Sequence, residues 1–514
     1  MSAPLRLSRP TPPDSPLPCC KLPHHPARYP LASGAKGIVN KLGNLAAATA
    51  IVMLLAACAI DREKPLVFGT QRPAAADQAP AQQAAADEGA APASTSAPAP
   101  RLQPIGMNEV AVAYVKLALA LGELDPGYVD AYYGPPEWRD QARADKLGAA
   151  QIEEQAQRLV LRMIASPPEE LPSDPELAVL RKSYLKNQLG SLSARAAMLQ
   201  GRKFSFDDEA LALYDIAAPH YSEQDFQPAL KQLDALLPKE PGTLAQRYNR
   251  YLERYTVPRD KLASVMRAAI GYAQLRVRAH LELPPGESYE PVLVDGRPWT
   301  AYNSYLGNFH SRIEIDAEQP VSILRVLQLA TQEGYPGHHV YDSVVEKDLV
   351  RGQGWPEYQV HALYSPQAFI AEGCADFGAE LAFPDPLRLN FERELFDLAG
   401  LDGSQVETYD RVMRAGKALA PATIEAARRY LDGLMDANST ANWLQVYALA
   451  TPERATQRLV FFDHYRSYII NYSYGEELVG RYVGAKGGAE AGSEAQWRVF
   501  TRLISTPRVP TGLQ

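Results

Sequence analysis

Val321-Ser-Ile-Leu-Arg-Val-Leu-Gln-Leu-Ala-Thr-Gln-Glu333 runs directly into Gly334-Tyr-Pro-Gly-His-His339. The first part is apolar except for Ser322, Arg325, Gln328 and Gln332, which recur at three- and four-residue intervals, and this predicts a helix over 321–333 with one polar stripe. Pro336 cannot continue the hydrogen-bond ladder, and Gly337 permits a tight bend. On an unbroken helix Glu333 and His339 would lie about 9 Å apart along the axis, too far to share a metal. The bend leaves two readings open. Either the imidazoles fold back toward Glu333 and build a site, or they cap the carbonyls of an ordinary helix end.

Outward from this segment the same helical spacing recurs, as in Val110, Tyr114, Leu117 and Leu121. Amphipathic helices are expected from Met107 onward and over roughly 150–165, 172–200, 225–238, 242–255, 258–282, 366–383, 388–400, 404–418, 421–436 and 452–483. One region, about 289–316, reads as strand. Asp295-Gly296 is a hairpin signal, and Ser311, Ile313 and Ile315 alternate with Arg312, Glu314 and Asp316. The expected fold is therefore mainly α, one large helical domain over 105–514, with a small antiparallel sheet near 289–316.

Two further segments carry chemistry. In the predicted helix 366–383, Glu372, Asp376 and Glu380 recur every four residues in an otherwise apolar sequence. Three like charges on one face repel, and buried carboxylates need a cation: a metal ion, an arginine or a protonated histidine. A solvated acidic stripe is the alternative. In the segment Arg458 to Gly475, His464, Tyr468 and Tyr472 recur four residues apart. Such tyrosines commonly pack in a core, but a Tyr or His beside a metal also stabilises an oxyanion. Cys374, next to these acids, reads as a small buried thiol rather than a ligand.

The N-terminal part has a different composition. Lys36 and Lys41 precede an apolar run from Leu45 to Ala57 that is too short to span a bilayer and ends at Cys58. This matches a secretory signal peptide, residues 1–57. Leu55-Ala56-Ala57-Cys58 resembles a bacterial lipobox, which implies acylation of Cys58 and a membrane anchor held by more than one chain. Ala59 implies the outer membrane, facing the periplasm. The Pro-rich stretch 1–38 is unusual ahead of a signal, so Val39 is an alternative start. Residues 58–104 are rich in Ala and Pro with few large apolar side chains, the composition of a disordered tether. The formal charge is −8, and because residues 1–57 hold six Lys or Arg and one Asp, the part from Cys58 onward carries about −13. That argues against nucleic acid as a partner. With Cys58 acylated, Cys374 is alone and no internal disulfide forms.

Asp125-Pro-Gly-Tyr-Val-Asp-Ala-Tyr-Tyr-Gly-Pro-Pro-Glu-Trp138, Tyr302-Asn-Ser-Tyr-Leu-Gly307, Glu333-Gly-Tyr-Pro-Gly-His-His339, Glu372-Gly-Cys-Ala-Asp376 and Arg466-Ser-Tyr-Ile-Ile-Asn-Tyr472 together resemble the family catalogued as domain of unknown function 885 (DUF885). The resemblance covers nearly all of 107–514. That family is grouped with zincin-like metallopeptidases, so it implies a zincin-like domain and peptide hydrolysis. By that resemblance Glu333 is the general base, His338 or His339 the second zinc ligand and Glu372 the downstream ligand; Tyr472 and His464 are candidate catalytic groups on the oxyanion argument above. Where the family has the first ligand histidine, this chain has Gln332. An amide is a much poorer zinc ligand than imidazole. Three outcomes follow. The site is remodelled, with both histidines, or with Asp376 joining Glu372, around zinc or the harder manganese ion. Alternatively, the protein is a silent relative that binds extended peptides by strand addition at 310–316. In the third, it is a structural envelope component.

Overall fold

Val110, Tyr114, Leu117 and Leu121 are all buried along one face of the helix Met107–Leu124, as their spacing requires. The computed structural model describes residues 103–514 apart from 167–173, 298, 319 and 386, and the signal segment, Cys58 and the tether lie outside the described residues. The described chain is mainly helical with two small sheets. Among the described residues no helix is long and apolar enough to cross a membrane.

The long predicted helices form: Pro175–Leu199, Arg259–His280 and Pro366–Ala382 among them. The last begins where Ser365 caps the Ala368 N–H and Pro366 takes the first turn, a position where no backbone donor is needed. Polar or short helices are not anticipated from periodicity. Pro136–Asp145 is polar and buries only Ala142, and Phe206–Tyr214, Ala437–Tyr447 and Glu494–Ile504 are short. The expected helix 452–483 is two helices, Pro452–Tyr465 and Ser473–Gly487, separated by a 3₁₀ segment, Arg466–Asn471. Arg466 has φ +53°, a backbone angle that no α-helix contains, so His464 does not stack above Tyr468 and Tyr472.

The strand region also differs from expectation. It forms β2 (Ser288–Val294), β3 (Ala301–Tyr305) and β4 (His310–Asp316), following β1 (Val129–Tyr132), and the order in the sheet is β2-β4-β3. β4 pairs antiparallel with β3 but parallel with β2, so the sheet is mixed, and Asp295-Gly296 does not close a hairpin. The hairpin is β3–β4. Its turn places Gly307, Asn308 and Phe309 all at positive φ, and buried Glu346 accepts hydrogen bonds from the Asn308 and Phe309 N–H groups (3.2 and 3.3 Å) and the Tyr305 hydroxyl (2.6 Å). A carboxylate that satisfies three donors pins this turn, and β4 is the central strand because β2 pairs along its other edge. Strand addition at 310–316 is excluded, because both of its edges are paired. The edges are β2 and β3. A second ladder pairs β1 with β5 (Val360–Ala362) and carries Asp130 and His361 to one place.

Candidate functional site

The segment 321–339 builds the site through three consecutive departures from α-helix. Ile323–Leu329 is α-helical, Ala330–Gly334 widens into a π turn, and the Tyr335–Pro336 peptide is cis. Gly337 then donates its N–H back to the Thr331 carbonyl (2.9 Å) and starts a new helix, His338–Val345. Only glycine fits here. A Cβ on Gly337 would lie 1.9 Å from the Gln332 carbonyl oxygen. Pro366–Ala382 packs against this bend at Gly378, where a Cβ would meet Pro336 at 2.7 Å, and against Ser473–Gly487 at Gly373, where it would meet the Gly475 carbonyl at 2.6 Å. The absence of side chains lets the backbones approach, and Glu372 and Tyr472 are carried inward with them.

His338 and His339 are adjacent on the new helix and point in different directions. His338 Nε2 lies 3.6 Å from Glu372 Oε2, an ion pair rather than a hydrogen bond. His339 is 1% exposed and both its ring nitrogens are engaged, Nδ1 with Ser311 Oγ (2.9 Å) and Nε2 with Glu287 Oε2 (2.7 Å). Glu287 also accepts from the Tyr335 hydroxyl (2.7 Å) and pairs with Arg278. His339 thus anchors the bend to the β4 side and offers no free nitrogen to the cluster.

Around His338 the charges balance narrowly. Burial opposes its protonation, but the Glu372 carboxylate, with Glu333 and Asp342 behind it, outweighs burial and pushes its pKa up to about 10. Burial would raise Glu372, yet the charge of His338, the Tyr468 hydroxyl (2.8 Å from Oε1) and the Gln332 amide hold it below the ordinary glutamate value. Burial, reinforced by Glu372, raises Glu333 despite His338 and Arg325. The Asn303 side chain on β3 donates to the Glu333 backbone carbonyl (2.6 Å), fixing the edge strand to the site.

The three acids of the helix Pro366–Ala382 resolve in three ways. Glu372 is paired with His338. Asp376 is pushed up to about 8 by burial and by Glu476 and Glu372, which leaves it mostly protonated at pH 7. Glu380 is exposed and bound by Lys417 (2.6 Å), which also holds Glu476. Cys374 is fully buried and its thiol is pushed up by desolvation, so it packs in the core. The Tyr472 ring lies 5.7 Å from that of Tyr468, whose hydroxyl donates to Glu372, and burial raises its pKa. His464 is exposed, its ring 4.4 Å from that of Tyr465, and no described contact joins it to Glu372.

Sequence reasoning missed a second pair beside the first. Asp342, one turn after His338 and on the same face, lies with Oδ1 3.7 Å from His361 Nε2. Burial raises Asp342 against the lowering effect of His361 and His338, and exposed Asp130 accepts from the Tyr302 hydroxyl (2.5 Å) nearby. The four-residue spacing from His338 to Asp342 was a signal available in the sequence, although no helix was expected there. Nothing local marks His361.

A catalytic zinc asks for three good protein ligands and an open position. His338 and Glu372 converge, with Glu372 Oε2 lacking a hydrogen-bond partner among the described residues. Gln332 contributes an amide beside Glu372, and both ring nitrogens of His339 are engaged by Ser311 and Glu287. Among the described residues no group of three His, Cys, Asp or Glu side chains is placed to hold a metal. Among the described residues the donors that converge are thus His338 and Glu372, with the Gln332 amide beside Glu372.

No family model and no curated protein matches the chain. Among solved structures, a protein from Colwellia psychrerythraea described as a candidate lipoprotein superposes with a TM-score of 0.44 at 12% identity, covering 80% of this chain and 76% of that one. A candidate lipoprotein of unknown function from Shewanella oneidensis superposes with a TM-score of 0.39 at 13% identity, covering 78% of this chain and 88% of that one.

Proposed function

We propose that this chain is a lipid-anchored envelope protein that binds extended peptides beside β3 and has lost zinc-dependent hydrolysis. The observation that carries the reading is the donor set. Gln332 stands where an imidazole is needed, and the one neighbouring histidine able to compensate, His339, has both nitrogens bound to Ser311 and Glu287. Binding needs less. β3 is an edge strand, so one row of its backbone donors and acceptors is available to an extended chain, and Asn303 ties that strand to Glu333. The anchor at Cys58 would hold this surface at the membrane.

The test is a fluorescent peptide library titrated into the purified full chain with and without chelator. Saturable binding that leaves the peptides intact and ignores the chelator is expected. Cleavage that is abolished by chelator and by Glu333→Gln would overturn the proposal in favour of a second reading, a remodelled metallohydrolase with Glu333 as base and a zinc or manganese ion supplying an activated water. One observation favours that second reading: the 3.6 Å between His338 Nε2 and Glu372 Oε2 is close to the roughly 3.4 Å edge of a tetrahedral zinc site.

A further inference from the structure

The helix that carries His338 and the helix that carries Glu372 both contribute to a small enclosed cavity. It measures about 10 Å³, and Tyr184, Tyr341, Tyr358, Gln367, Ile504 and Arg508 are among the residues that line it. Tyr341 belongs to the helix His338–Val345 and Gln367 to the first turn of Pro366–Ala382. The polar groups here do not balance. Tyr184 donates its hydroxyl to Gln367 Oε1 (2.6 Å), so that acceptor is engaged. The Tyr358 hydroxyl is buried, on a residue 2% exposed, and has no hydrogen-bond partner among the described residues. The Arg508 Nε–H is likewise buried without a partner, and among the described residues no carboxylate pairs with this guanidinium. Glu357, next to Tyr358 in the chain, bonds Arg181 through both carboxylate oxygens (2.7 and 3.2 Å). Burial raises the Tyr358 pKa, so its hydroxyl keeps a proton to donate.

A guanidinium Nε–H can only donate, and a buried donor without an acceptor forfeits the hydration it lost on folding. A neutral acceptor would satisfy the hydrogen bond and leave the charge of Arg508 uncompensated, whereas an anion answers both. The first turn of Pro366–Ala382 adds to this, because the positive end of a helix dipole favours negative charge. Size selects the ion. A cavity of about 10–15 Å³ holds one water-sized occupant, which leaves out carboxylates, phosphate and sulfate. We propose that this cavity is a binding site for a single monatomic anion, chloride, held by the Arg508 Nε–H and the Tyr358 hydroxyl. The ion ties the segment that follows the helix Glu494–Ile504 to the helices bearing His338 and Glu372, and so braces the frame of the candidate site. This holds whether or not that site binds peptides.

The test follows the Tm of the purified full chain as sodium chloride replaces sodium gluconate at constant ionic strength, gluconate being too large for the cavity. Chloride should raise the Tm along a saturating curve, by about 3 °C at one hundred times the Kd, and bromide should do the same. Arg508→Gln should remove the dependence, since an amide brings no charge, and Tyr358→Phe should weaken it. Equal Tm in the two salts would overturn the proposal, as would a chloride dependence undiminished in Arg508→Gln. Should the variants fold poorly, anomalous diffraction from wild-type crystals soaked in bromide decides: a bromide peak between Arg508 Nε and the Tyr358 hydroxyl is expected, and a water in that place would overturn the assignment.

Discussion

Gln332→His would place an imidazole beside the His338–Glu372 pair, and its effect can be worked out from the structure. His338 Nε2 and Glu372 Oε2 are already 3.6 Å apart, within a few tenths of an ångström of the roughly 3.4 Å separating two ligands of one tetrahedral zinc. The substitution removes the amide that helps hold the Glu372 charge, a loss of about 1 kcal/mol. Zinc binding to the folded state alone then stabilises it by about 2.7 kcal/mol at a free concentration one hundred times the Kd. A domain of this size unfolds with an entropy of about 0.9 kcal/mol/K, so saturating zinc should raise the Tm of the variant by about 3 °C, reversed by chelator. The assay is elemental mass spectrometry for zinc per chain, paired with calorimetry on untagged wild-type and variant protein. The wild type should retain little zinc and show no shift. A variant that folds but takes up no more zinc than wild type would refute the placement of Gln332 at the vacant ligand position.

Gly337→Ala puts a Cβ 1.9 Å from the Gln332 carbonyl oxygen, which is backbone and cannot swing aside, so it should cost about 3 kcal/mol or more in urea denaturation, whereas Gly127→Ala, with nothing within 4 Å, should be nearly neutral. Equal costs would mean the bend is looser than described. The His338–Glu372 pair predicts a pH dependence. Because the folded pKa of His338 is raised to about 10 from an ordinary 6.5, its contribution is fully present below about pH 6.5 and is lost as pH rises through about 10. The stability difference between wild type and His338→Gln, on the order of 4 kcal/mol at low pH, should narrow across that window; a difference that stays constant would mean His338 is not held as the cation.

Helical class was legible in the sequence because burial along a helix repeats every three to four residues, and Val110, Tyr114, Leu117 and Leu121 show it without any knowledge of their partners. The bend at Pro336-Gly337 was legible for a similar reason, since ring closure and the missing Cβ act on the local backbone whatever surrounds it. Glu372 and Asp376 stood out because carboxylates in an apolar helix demand an explanation. Which imidazole faces Glu372 was not legible. His338 and His339 are neighbours in sequence, and the choice depends on Glu287 and Ser311, distant residues that capture His339. The same holds for Asp342 on the helix His338–Val345 and His361 on β5, which only long-range packing brings within 3.7 Å. It holds for β4 as well, whose alternation is the same in a central strand as in an edge strand. Periodicity and backbone chemistry act within a few residues, so sequence alone determined the helices, the break and the inventory of chemically able groups. Which of those groups face one another is a matter of long-range packing and pairing, and only the tertiary structure decided it.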